Sequence, residues 1–310
     1  MTEAMLPPDA ADPKPEESLF ARRLAQTLFT VAMVACFALF WWAGTLFRIP
    51  YHYRFEDSLL QQPMWVVSFL VIVVVYVVAT ALAMLITGSM HFIAGLLAAT
   101  LGMTALTMRG GAMRCILFYT QASGGSVSIF LNLAFELILL AAPVVAVWLY
   151  TFSLRHRTQA ALEIDEPPKE PLIHDQAAQQ ALALLVQVVI MAIALMLLCA
   201  TDAKKQAVIS VGVAAFAGTS IAEYMFPAAR MGKWYWLGPI AVGVVGYLSA
   251  YFNADGWQIA RLHNLLAPLA RPIPMDYASA GLAGALAGLW SGDRGAKLVG
   301  LIVLRSGRFM

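Results

Sequence analysis

Charge is scarce in this 310-residue chain: Asp, Glu, Lys and Arg together make up 12% of it. A soluble globular domain carries about 25%. The net charge of +2 provides no basic surface for nucleic acid, so no nucleic-acid partner is expected. The three cysteines, Cys36, Cys115 and Cys199, are far apart. They exclude a disulfide framework and a thiolate metal site, and read as small buried hydrophobes. The five histidines, His52, His91, His156, His174 and His263, are scattered without ligand spacing, so no metal is expected. There is no G-x-x-x-x-G-K-[ST], H-E-x-x-H, C-x-x-C, G-x-G-x-x-G or G-x-S-x-G. No polar stretch is long enough for a nucleotide-binding fold. No cofactor and no catalytic residue are assigned, and the sequence leans away from an enzyme.

What is present is hydrophobic: 61% of the residues. Long apolar runs with few charges read as membrane helices. The fold class expected is an all-α polytopic integral membrane bundle of about eight transmembrane helices, with one or two interfacial helices. The lipid bilayer is its expected surrounding partner.

Residues 1–20 read as a disordered acidic, proline-rich tail. The first membrane half, 21–152, holds spans at Leu24–Phe47, Met64–Thr87, His91–Met108 and Val127–Phe152. The first is too long for a signal-peptide core and reads as uncleaved. Arg48 to Pro63 reads as a polar loop with interfacial aromatics. Between the third and fourth spans, Arg109 to Ser126 has an apolar centre of only five residues. It reads as an interfacial or re-entrant segment, with Gly110, Gly111, Gly124 and Gly125 as hinges or turns.

Residues 153–180 read as a polar linker. The second half, 181–292, holds spans at Ala181–Ala200, Ala207–Phe226, Trp234–Phe252 and Tyr277–Trp290. Residues Gly256 to Leu266 read as a helix lying on the membrane. Small residues mark packing faces: Gly95 and Gly102; Ala214, Gly218 and Ala222; and Gly284, Gly288 and Gly292, a double G-x-x-x-G. Residues 293–310 form a basic C-terminal tail. With eight spans, the segments on the N-terminal side hold 12 Lys and Arg against 8 on the other. That bias predicts both termini in the cytoplasm of a plasma (inner) membrane.

One carboxylate, Glu136, lies near the middle of the fourth span. Ser128, Asn132 and Glu136 recur every fourth residue and so share a helix face. Pro143 frees the carbonyl of Leu139 nearby. A charge at the bilayer centre costs roughly 2.5–3.5 kcal/mol on insertion scales. The purely structural use is an interhelical contact with Gln187, Arg114 or His91. The functional use is a solute or ion site, with Glu136, Asn132 and Ser128 as its residues and Glu223, Gln187, His91 and Arg114 as further candidates. Transport or permeation of a small solute or ion is therefore the expected function. The rival is a membrane scaffold or complex subunit that packs on other membrane proteins, or on itself, through Gly284, Gly288, Gly292 and Gly218.

Overall fold

A helix is the one local structure that satisfies its own backbone in lipid, and the chain is helical accordingly. The computed structural model describes residues 15–45, 58–62, 64–87, 92–122, 124–162, 173–229, 234–253 and 266–291, and no strand occurs among them. The helices are α1 (Pro15–Ala43), α2 (Trp65–Thr87), α3 (Phe92–Arg109), α4 (Met113–Ala122), α5 (Ile129–Leu162), α6 (Ile173–Leu198), α7 (Lys204–Met225) and α8 (Leu237–Phe252). A ninth, α9, covers residues 274–291 and carries a π-helical stretch at Tyr277–Gly281.

Five helices are long and apolar enough to cross a membrane, and a sixth crossing results if α3 and α4, bent by 47°, count as one broken span. The expected eight therefore split into two groups. α8 has 16 residues, ~24 Å at 1.5 Å per residue, against a hydrocarbon core of about 30 Å. α9 is interrupted by its π turn. The polar linker is shorter than expected, because α5 runs on to Leu162 and α6 already starts at Ile173. Those flanks are polar but rich in Ala, Gln, Leu and Arg, all good helix formers. The N-terminal tail likewise gives way to helix at Pro15, a residue suited to a first turn. The basic tail at 293–310, most of the 256–266 segment, the loop residues 48–57, His91 and Gly292 lie outside the described residues.

The outward faces are greasy. Val34, Leu70, Val74, Phe135, Leu185, Leu197 and Ile209 are all more than half exposed, a pattern that suits acyl chains rather than water. The inward faces are small. A Cβ on Gly102 would stand 2.5 Å from that of Cys36, so α3 lies hard against α1, while Gly95 meets Met84 of α2. In the second half, Gly218 backs onto Gln187 and Met191 of α6.

Side-chain bonds show which ends gather together. The Arg109 guanidinium, at the end of α3, donates to the Trp41 carbonyl at the end of α1 (2.6 Å) and lies 4.9 Å over its ring. Arg271 donates to the carbonyls of Cys199 (2.6 Å), Ala200 and Leu266 (2.8 Å), filling acceptors left open where α6 ends. Lys204 at the start of α7 meets Asp276 at the start of α9. These contacts lie at one end of the bundle, hereafter the pocket end.

α4 ends in a Schellman motif: Gly124 N–H reaches Gln121 O (3.0 Å) and Gly125 N–H reaches Thr120 O (2.7 Å). Gly124 has φ +74° and nothing near where a Cβ would go. Gly124→Ala should therefore cost about 1–2 kcal/mol, purely through the left-handed backbone. Equilibrium unfolding in detergent reads this directly; a variant as stable as the parent would show that the turn relaxes.

Candidate functional site

Glu136 is 4% exposed, so its carboxylate turns inward, away from lipid. It is not at the middle of its helix. It lies seven residues after the start of α5, ~10 Å along the axis and towards the pocket end. There a short 3-10 turn, Leu59–Gln61, reaches it from the loop before α2. Leu60 N–H donates to Glu136 Oε2 (3.3 Å), and Leu59 N–H also faces the carboxylate. The Glu136 side chain thus sits at the N-terminal end of that turn, where open N–H groups collect.

The partners differ from those expected. Gln187 is engaged elsewhere: its Nε2 donates to Thr219 Oγ1 (2.9 Å) and to the Tyr235 carbonyl (2.8 Å). Arg114 faces Asp202 at 3.7 Å and is two-thirds exposed. Asn132 and Ser128 are both exposed, Ser128 sharing a 2.9 Å bond with Ser126. Steps of four residues advance 40° around a helix of 3.6 residues per turn, so eight residues carry Ser128 well off the face of Glu136. Glu223 stands apart, beside Tyr235 on the far side of the second half.

What does gather around Glu136 is a pocket of about 550 Å³, its open mouth included. Glu136, Ser58, Leu59 and Gln62 form one wall. Ile72, Leu106, Thr107 and Ile116 form the next, and Gly110, Gly111, Ile273 and Met275 close the third. The turn carrying Ser58 is stitched down: Gln61 Nε2 donates to Thr120 Oγ1 (2.8 Å), and Ser68 Oγ donates to Gln62 Oε1 (3.0 Å). Ser58 is buried, and its hydroxyl lies against the Glu136 carboxylate. The Gly110–Gly111 break between α3 and α4 forms part of this lining. Irregular backbone is tolerated at membrane depth where it lines a cavity, and broken helices of this kind form solute sites in transporters.

Behind the third wall lies a pair that sequence reasoning passed over. Lys204 Nζ donates to Asp276 Oδ1 at 2.6 Å, with side chains 14% and 1% exposed. Asp276 Oδ2 also accepts Ile273 N–H (2.9 Å). Next to it, Thr107 and Ser279 share a 2.9 Å hydroxyl bond, and Ser279 donates to Met275 O (2.7 Å). The available sequence signal was modest: an acid three residues after Ile273, at a start flanked by Pro272 and Pro274.

The G-x-x-x-G face does not lie open. A Cβ on Gly284 would overlap the Gly212 carbonyl, and one on Gly288 would stand 2.8 Å from Phe216 O. Both positions are filled by α7 of the same chain, so they offer no ridge to another protein. No group of His, Cys, Asp and Glu among the described residues is placed to hold a metal.

The helices and pocket define a class, a helical membrane protein with a largely apolar pocket around one buried carboxylate at one end of its bundle. No family model, no curated protein and no solved structure matches the chain.

Proposed function

We propose that this protein passes a small polar solute or ion across a membrane through the pocket at Glu136. The observation that carries the reading is the pocket's make-up: a buried carboxylate, a buried hydroxyl beside it and a broken helix around one cavity. The membrane arrangement proposed with it has eight crossings. It counts α3 with α4 as one broken crossing and adds α8 and α9. Consecutive crossings then alternate, and both termini lie at the end opposite the pocket. The Lys and Arg bias favours the cytoplasm for that end, with the pocket opening outward from a plasma membrane. Reporter fusions at the C-terminus test this: a phosphatase stays inactive and a cytoplasmic fluorophore lights.

Glu136→Gln keeps the shape and removes the charge. In proteoliposomes it should lower solute flux at least tenfold, while the protein still elutes as a folded species. Asn132→Ala, on an exposed face of the same helix, should leave flux unchanged. Undiminished flux in Glu136→Gln would overturn the reading. The scaffold alternative loses its main support, because α7 already occupies Gly284 and Gly288.

A further inference from the structure

Among the described residues, the charges around the pocket do not balance. Lys204 is spent on Asp276, and Arg114 faces Asp202. Arg109 and Arg271 are bound to backbone carbonyls, and Arg109 also to the Trp41 ring. Among the described residues, Glu136 meets N–H dipoles and a hydroxyl. The last carbonyls of α3 point their negative ends towards the same break at Gly110. Glu136 is the one ionisable side chain in the described lining, so the pocket favours a positive over a negative ligand.

The rest of the lining says which cation suits it. Leu59, Ile72, Leu106, Ile116, Ile273 and Met275 are apolar. A bare metal cation needs about six oxygen ligands to replace its water, and these walls do not supply them. An ammonium with carbon substituents covers apolar walls with its own CH groups and presents its charge to a single carboxylate. Ser58, buried with its hydroxyl beside Glu136, then has oxygen lone pairs to accept a hydrogen bond from a polar group on the same molecule.

We propose that the ligand of this pocket is a small organic cation carrying a hydroxyl or amine, an ammonium alcohol of about choline's size. The inference rests on the reading that the Glu136 pocket is the solute site. Its chemistry is shared by free ammonium solutes and by ammonium lipid headgroups, and the test separates the two.

The full chain is purified, placed in phosphatidylglycerol vesicles, which carry no ammonium headgroup, and titrated with choline, the uncharged carbon isostere of choline, tetramethylammonium and sodium. Choline should bind saturably and the isostere at least tenfold more weakly. Glu136→Gln should erase that difference. Ser58→Ala, which leaves the carboxylate in place, should weaken choline severalfold but not tetramethylammonium. Adding phosphatidylcholine distinguishes the sources: competition assigns a headgroup, no competition a free solute, and both support ammonium recognition. Equal binding of choline and its isostere, tighter binding of sodium, or no choline binding overturns the inference. Flux of a neutral or anionic solute without choline binding overturns it while leaving the transport reading intact. Choline binding without flux of any solute does the reverse.

Discussion

Replacing Lys204 by Met should destabilise the protein by about 3–5 kcal/mol, the usual cost of stripping one partner from a buried ion pair. Asp276 is 1% exposed and its closest cation is the Lys204 ammonium at 2.6 Å. Once that ammonium is gone, only the Ile273 N–H remains to it among the bonds described here. The Lys204→Met, Asp276→Leu double variant should recover most of the loss, because an apolar pair of similar volume needs no compensation. The recovery is incomplete to the extent that Asp276 also holds the first turn of α9. Equilibrium unfolding of the three proteins in one detergent measures it. Equal losses in the single and double variants would mean that the pair matters only as packing volume.

Gly284→Ala should be nearly as damaging, and for a steric reason. The new methyl would overlap the Gly212 carbonyl oxygen and come within 3.1 Å of Ala215 Cβ. Backbone cannot rotate aside as a side chain can, so α7 and α9 must separate. Overpacking of this kind costs typically 1–3 kcal/mol or more, and here it opens the seam that holds the pocket's third wall. Gly212→Ala, on the facing helix, is the control. Its methyl would lie 3.5 Å from the Ala280 carbonyl and 3.8 Å from Ala280 Cβ, ordinary contact distances. A loss of stability in Gly284→Ala with none in Gly212→Ala is the expected pattern. Tolerance of both would place the α7–α9 contact looser than described.

The long spans were legible because lipid imposes one rule on every residue of a crossing helix. The Val-rich run of α2 and the apolar length of α6 declare themselves for that reason. α8 and α9 were harder to place, since 16 residues or a π turn leave a crossing marginal by composition alone. That Glu136 turns inward was legible for the same physical reason as the spans: a lone carboxylate amid hydrocarbon needs a partner or a cavity. Its partners were not. They are backbone N–H groups on a turn 76 residues away, and backbone donors leave no mark in side-chain identity. The four-residue spacing misplaced Ser128 and Asn132 because it drifts around the helix. The glycine face of α9 was read correctly as a close-packing surface, but sequence alone did not say that its partner was α7. Lys204 and Asp276 lie in short polar turns, where charge is ordinary, so their burial was invisible until the helix starts came together.

The central claim is that water-borne solutes reach a pocket whose field is set by Glu136. It is tested most directly by thiol reactivity at Met275→Cys, on the pocket wall, with Cys115 replaced by Ser and the native Cys36 and Cys199 left buried. A positively charged methanethiosulfonate should modify that cysteine roughly tenfold faster than its negative counterpart, as a nearby unit charge predicts at an intermediate dielectric. Glu136→Gln should bring the two rates together, and Val74→Cys on the lipid face should stay unreactive. Equal rates with Glu136 intact, or no reaction at Met275→Cys with either reagent, would contradict the account.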